Sequence, residues 1–358
     1  MCAPSTPPPP NPPSQPAATP GRAAHKADTD LPRPIVILGP TAGGKSELAV
    51  RLAEALGGEV INADSMQIYQ HLDAGTAKPT PDQRARARHH LIDCAHPSVA
   101  FTVSNWLEMA ENALKTLQNS ALSPVLSGGT NLYLKSLLHG MFQGPGTDQA
   151  FRSSMDSIES FELHERLRAI DPPAAERIAP ADRKRILRAL EVHHLTGTTI
   201  TELQQQWSDD PNQPYRHHPI LIGLAWQPEH LNPRINLRVK AMFYPEKVDQ
   251  QLAREVCLGG RSLVDETIDL ENRGLLGPQA REAIGTKQVL QHLADPAKLS
   301  LEEAYEKTKI QTRRLAKQQR TWMRRFHGVH WLPVTPDSTP EQTADLALQA
   351  YRRALSEK

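Results

Sequence analysis

Pro34-Ile35-Val36-Ile37-Leu38-Gly39-Pro40-Thr41-Ala42-Gly43-Gly44-Lys45-Ser46 is the stretch on which the fold turns. Ile35 to Leu38 is a short buried-strand run. Gly39, Pro40, Thr41, Ala42, Gly43, Gly44, Lys45 and Ser46 then match G-x-x-x-x-G-K-S/T, and the spacing predicts a helix over Glu47–Ala55. A strand, a glycine loop and a helix in that order form the setting in which this pattern binds phosphate. Glycines let backbone N–H groups converge on phosphate oxygens, and the helix N-terminus adds partial positive charge. Lys45 supplies a full charge, and the Ser46 hydroxyl can ligate Mg²⁺. The competing reading is a glycine-rich turn that merely precedes a helix. The pattern identifies phosphate, not a reaction.

The flanking sequence extends the alternation. A second strand is expected at Glu59–Ala63, a helix at Val103–Gln118, and a third strand at Pro124-Val125-Leu126. That strand runs into Ser127-Gly128-Gly129-Thr130, with a helix from Leu132 to about Leu138. This predicts an α/β fold, a P-loop parallel sheet flanked by helices. From His139 the pattern turns helical. Asp171-Pro172-Pro173 is a helix start, the helix Ala181–Leu195 ends at Gly197, and Thr199 with Glu202 reads as a capping box. Ile220-Leu221-Ile222-Gly223-Leu224 returns to the sheet, and a last helix is expected at Glu341–Leu355. The expected organisation is therefore a core over 35–138, a helical insertion over 139–210, a continuation of the core over 211–334 and a terminal helix in 335–358. Residues 1–34 hold eleven of the 31 prolines and read as a disordered tail, neither a secretory signal nor a transit peptide.

The chain has 358 residues, 39% hydrophobic and 23% charged, enough for one large domain or two moderate ones. Mean hydropathy is −0.50, and no run approaches the roughly eighteen apolar residues of a membrane span. Cys2, Cys94 and Cys257 lie far apart, which excludes a zinc knuckle or a disulfide framework and suits a reducing compartment. A net charge of +1 hides an asymmetry. Residues 307–326 carry eight Lys or Arg and no acid, which leaves −7 for the rest. The basic character is local and points to a polyanion on one element.

Three further features bear on chemistry. Asp64 follows the second strand, and ligands of open parallel sheets bind beyond the carboxyl ends of strands. It can ligate metal, accept a proton or bind a donor; equally, Asp64-Ser65 can be a helix cap or turn. Thr130, at the end of the third strand, has the same two readings. That strand ends without the Mg²⁺-supporting Asp of ordinary NTP-hydrolysing enzymes, which argues mildly against NTP hydrolysis. His89 and His90 are adjacent, so they point apart and read as a loop or strand edge rather than a metal site. Helical periodicity gathers Lys309, Arg313, Lys317, Arg320 and Arg324 into one stripe, with Leu315, Trp322 and Phe326 opposite. This predicts an inward apolar side and an outward cationic face for a polyphosphate partner. Arg183-Lys184-Arg185 with Arg188 forms a second basic cluster on the insertion.

Taken in order, several blocks resemble the tRNA dimethylallyltransferase (isopentenyltransferase) family. They are Gly39–Ser46, Ala63–Tyr69, Gly75–Pro79, His90–Asp93, Gly128–Tyr133, Arg188–Val192, Ala283–Gly285 and Thr312–Gln319. The resemblance implies transfer of a dimethylallyl group from dimethylallyl diphosphate to the exocyclic N6 amine of the adenosine just 3′ of the tRNA anticodon. It makes Gly39–Ser46 the diphosphate cradle, with Mg²⁺ on Ser46, and makes Asp64 the general base. Thr130 helps hold that site together, and Arg238 contacts the diphosphate. It implies contacts with the flipped adenosine and its neighbours from Asp64, Ser65, Met66, Gln67 and Thr130. Stem-loop contacts follow from Arg152, Lys184, Arg185, Ile186, Leu187 and Arg188. The anticodon arm is assigned to Glu282, Ala283, Ile284, Gly285, Thr286 and Lys287. The same arm is assigned to Lys317, Gln318, Gln319, Arg320, Thr321, Trp322, Met323 and Arg324.

Three positions depart from the family pattern. Ser127 stands where an apolar residue is usual, Thr286 replaces an aromatic, and Phe243-Tyr244-Pro245-Glu246 lacks the usual Gly-Leu turn. With no C-terminal zinc finger, the expectation is a bacterial-type, cytoplasmic enzyme; separately, a monomer is expected. The alternatives are an adenylate isopentenyltransferase, which would need no RNA grip, and a P-loop kinase, which would turn over ATP.

Overall fold

The computed structural model describes residues 31–141, 144–205 and 213–357. The tail expected over 1–34 falls almost wholly outside them. Among the described residues six strands form one sheet: β1 (Ile35–Leu38), β2 (Gly58–Asn62), β3 (His89–His90), β4 (Ser123–Ser127), β5 (Ile220–Trp226) and β6 (Val329–Val334). Their order is β3-β2-β4-β1-β5-β6, and every pairing is parallel. The expected α/β class is borne out.

Strand side chains alternate between faces, so consecutive residues enter different cores. Ile35, Ile37, Val60, Val125 and Ile222 enter one, with residues of the helices Lys45–Leu56, Pro228–Phe243 and Pro340–Ser356. Val36, Leu38, Ile61, Leu126 and Leu221 enter the other, with the helices Val103–Asn119 and Asn131–His139. Burial on both faces explains the unbroken apolar runs of β1 and β5 and the apolar centre of β4. Trp106, wholly buried, donates from Nε1 to the Asn62 carbonyl oxygen at 2.9 Å and so fixes the end of β2.

The helices between residues 149 and 203 build a third core from Leu163, Leu167, Ala174, Ile186, Ala189 and Val192. Asp171 caps the helix Pro172–Arg177, accepting from the Ala174 N–H at 3.1 Å, and Thr199 and Glu202 form the expected capping box. Among the described residues no helix is long and apolar enough to cross a membrane.

Candidate active site

The carboxyl ends of β1, β2, β4 and β5 meet around a cavity of about 1240 Å³. Thr41 to Ser46, Asp64, Gln67, Gly128, Gly129, Trp226, Arg234, Arg238 and Gln319 all line it. Register explains the meeting. Asn62 lies opposite Ser127 and Ile37 opposite Ile222, so the segments just beyond each strand emerge side by side.

The glycine loop leaves β1 and tightens through the Gly43 N–H, which donates to the Pro40 carbonyl oxygen at 3.1 Å. Gly44 ends the loop at φ +89°, a left-handed conformation that glycine adopts without a Cβ clash, and the helix begins at Lys45. Side chains from later in the chain brace the loop from outside. Trp226 Nε1 donates to the Gly43 carbonyl oxygen at 3.0 Å, Arg234 Nε to that of Ala42 at 3.2 Å, and the Arg238 guanidinium to Thr41 Oγ1. The Arg234 guanidinium lies over the Trp226 ring, 5.0 Å from its centre.

Lys45 and Arg238 bring two cations to one wall. Withdrawal from water pulls the Lys45 ammonium down to about 8; Asp64 opposes the shift and Arg238 adds to it. Withdrawal from water also lowers the Arg238 guanidinium, to about 10, so it stays charged at neutral pH. Its Nε is buried without a partner among the described residues. A bound polyanion would relieve both costs.

The same cavity holds a carboxylate. Asp64 Oδ1 accepts the Met66 N–H at 2.9 Å and the Gln67 N–H at 3.4 Å, so this oxygen does cap the turn. Oδ2 faces Gly129; a Cβ there would lie 3.3 Å from it. One oxygen of Asp64 therefore makes the cap, and the other is left facing Gly129. Thr130 is different. It occupies the N-cap position of the helix Asn131–His139 but makes no capping bond. Its Oγ1 instead accepts the Ser65 N–H at 2.9 Å and donates to Ser65 Oγ at 3.1 Å, tying the Asp64 turn to β4. Gly128 permits that approach, since a Cβ would meet the Ala63 carbonyl at 2.1 Å. Gln67 Nε2 donates to the Thr76 and Ala77 carbonyl oxygens, each at 3.1 Å, which brings the 75–79 block to the same cavity.

Ser46, in the first helical turn, lines the cavity with Asp64. One hydroxyl and one carboxylate suit Mg²⁺, a hard ion that takes most of its oxygens from phosphate and water. Among the described residues no group of three His, Cys, Asp or Glu stands together as a metal cage.

Other expected contact residues divide by burial. Lys184, Arg185, Lys317, Gln318, Thr321, Arg324 and Glu282 are exposed, and Ser65, Met66, Leu187, Ile284, Lys287, Arg320 and Trp322 are partly so. The side chains of Ile186, Ala283, Thr286, Gln319 and Met323 are buried, so packing withholds them from an RNA surface. Arg152 and Arg188 grip the fully buried Glu191, Arg152 through two bonds of 2.8 Å and Arg188 through one of 2.7 Å. Burial raises the Glu191 carboxyl, but the bonds from Arg152, Arg188 and the Asp148 backbone prevail and bring it to about 2.

The helix Leu301–Met323 needs a correction. Its fully buried stripe is Ala304, Thr308, Thr312, Ala316, Gln319 and Met323; Leu315 lines the cavity instead, Trp322 packs on the core only partly buried, and Phe326 beyond the helix is buried as expected. The cationic stripe is consequently divided. Lys317 and Arg324 face solvent, Arg313 donates to Asn236 Oδ1 at 2.8 Å, and Arg320 reaches the Trp226 carbonyl oxygen at 3.5 Å. Sequence reasoning misses the bracing by Trp226 and Arg234, although Trp226 ends β5 beside the glycine loop.

A sequence model of the IPP transferase family matches residues 67–326. The chain belongs to the IPP transferase family. It is 40% identical over 313 residues to a tRNA dimethylallyltransferase of Geobacter sulfurreducens, covering 85% of this chain and 93% of that one. A solved tRNA isopentenylpyrophosphate transferase of Bacillus halodurans is 32% identical, with a TM-score of 0.62 over 90% of this chain and 98% of that one. A eukaryotic dimethylallyltransferase solved acting on tRNA shares the fold, with a TM-score of 0.72 at 24% identity over 91% of this chain and 80% of that one. The family resemblance drawn from the sequence blocks is thus borne out.

Proposed function

We propose that this chain of the IPP transferase family alkylates the exocyclic N6 of the tRNA adenosine just 3′ of the anticodon, using dimethylallyl diphosphate and releasing diphosphate. The observation that carries the reading is one cavity lined by Lys45, Arg238 and Asp64, with the carboxylate near enough to act on both cations. The glycine loop and the two cations would receive the diphosphate, stabilising charge that builds on the leaving group. Asp64 would accept the proton from N6 as the C1–N6 bond forms and the C1–O bond breaks. Thr130 and the backbone of residues 65–67 hold that carboxylate still. Mg²⁺, held through Ser46, would supply further charge neutralisation for the departing diphosphate. The exposed cations Lys184, Arg185, Lys317 and Arg324 would grip the anticodon arm, while the adenosine leaves its stack to enter the cavity.

The test is labelled dimethylallyl diphosphate with Mg²⁺ and either unmodified tRNA or AMP, beside tubes with labelled ATP. Label in tRNA is expected. Label in AMP alone would make the protein an adenylate isopentenyltransferase, and phosphate transfer from ATP would make it a kinase.

A further inference from the structure

Gln319 lies on the basic helix Leu301–Met323 but is only 3% exposed. Its Oε1 accepts the Thr41 N–H at 2.7 Å, and its Nε2 donates to the Gly129 carbonyl oxygen at 2.8 Å. Thr41 belongs to the glycine loop, and its hydroxyl takes the Arg238 guanidinium. Gly129 precedes Thr130, which holds the Asp64 turn. One carboxamide therefore ties the loop beside Arg238 to the turn beside Asp64, with donor and acceptor ends both used. The approach is close, because a Cβ at Gly129 would stand 2.6 Å from Gln319 Nε2.

We propose that Gln319 is a positioning residue that holds the glycine loop at a fixed spacing from the 129–130 turn. Resting on the reaction proposed above, it thereby sets the distance between the departing diphosphate and the base that prepares the nucleobase nitrogen. Rate in such a site depends on near-attack geometry, and small misplacements are costly. With the spacing loosened, water competes for C1 of the donor. The C1–O bond to diphosphate breaks, a C1–O bond to water forms, and water releases a proton, giving dimethylallyl alcohol and diphosphate.

The experiment measures labelled alcohol against labelled tRNA for the wild type, Gln319→Met and Gln319→Glu. Methionine keeps the length and loses both bonds; glutamate can still accept from Thr41 but cannot donate to Gly129. The ratio does not depend on the fraction of enzyme that is active, so a merely structural defect leaves it unchanged. We expect a rise of about tenfold or more in both variants. A wild-type ratio in either soluble variant overturns the inference, whatever its turnover. If the wild type transfers no label to tRNA, the reaction is wrong, and the inference is then read from inorganic pyrophosphate titrated calorimetrically. Weaker binding in Gln319→Met sustains the tie across the cavity, and equal binding overturns it.

Discussion

The ammonium of Lys45 donates to the carbonyl oxygen of Pro40, 2.9 Å away and five residues back in its own loop. The loop thus holds its cation in place before any ligand arrives, in surroundings that lower its proton affinity to about 8. Below that pH Lys45 is charged, and an anion favours the charged form. Affinity for a non-transferable thio analogue of the donor should therefore fall as pH rises through about 8, approaching tenfold per unit above it. Calorimetric titration of wild type and Lys45→Met checks this. The variant should bind weakly and lose the pH dependence, and an identical profile would exclude Lys45 as the titrating group.

Asp64→Asn keeps an oxygen to accept the Met66 and Gln67 N–H groups, so the turn should survive. Proton acceptance is lost, and single-turnover prenylation should drop about 10²- to 10⁴-fold. Binding of tRNA, followed by filter retention, should stay near wild type.

Thr130→Val removes the acceptor for the Ser65 N–H while keeping shape. An unpaired donor costs about 1–3 kcal/mol, and turnover should fall because the Asp64 turn loosens. Thr130→Ser keeps the hydroxyl and should restore both melting temperature and rate. Failure of serine to rescue would show that the methyl group, not the hydroxyl, matters.

Lys317 and Arg324 are exposed, whereas Arg320 is turned toward Trp226. Replacing the first two with Ala should weaken tRNA binding and reduce the slope of log affinity against log salt by about 0.7–0.9 for each phosphate no longer neutralised. Arg320→Ala should change the slope less. Equal slopes for the wild type and the double variant would remove these residues from the RNA interface.

Glu191→Gln leaves Arg152 and Arg188 facing a neutral partner inside the helical core. The charge-assisted bonds from both arginines are weakened, so protease should cut the 149–203 helices faster than in the wild type. The wild-type carboxyl lies near 2, below its ordinary 4.5. Its stabilisation is present above 4.5 and lost as pH falls toward 2, so across this window acid should destabilise the wild type more steeply than the variant.

Local chemistry is legible where it is self-contained. The glycine loop, the strand before it and the capping box at Thr199 follow from residues close in sequence. Asp64 and Thr130 can be placed at strand ends, but whether each caps a turn or faces the cavity depends on partners across the sheet. β6 has no clear signature because Pro333 and His330 interrupt its pattern, and an edge strand needs fewer apolar residues. The buried stripe of Leu301–Met323 is hidden for a different reason. Thr308 and Thr312 satisfy their hydroxyls on the carbonyl oxygens one turn back, so small polar residues can pack where hydropathy suggests solvent.

The pairing of Asn62 with Ser127 has a consequence for how such a molecule can vary over time. Beyond that pair, Asp64 and Gly129 stand abreast only because β2 and β4 have each been measured to the residue. Lengthening a surface connection leaves this alignment intact. Adding or deleting a single residue within β2 would turn the carboxylate to the other side of the sheet, and the same change within β4 would carry Gly129 and Thr130 away from it. Length change should therefore accumulate in the connections between these strands and be purged from the strands themselves.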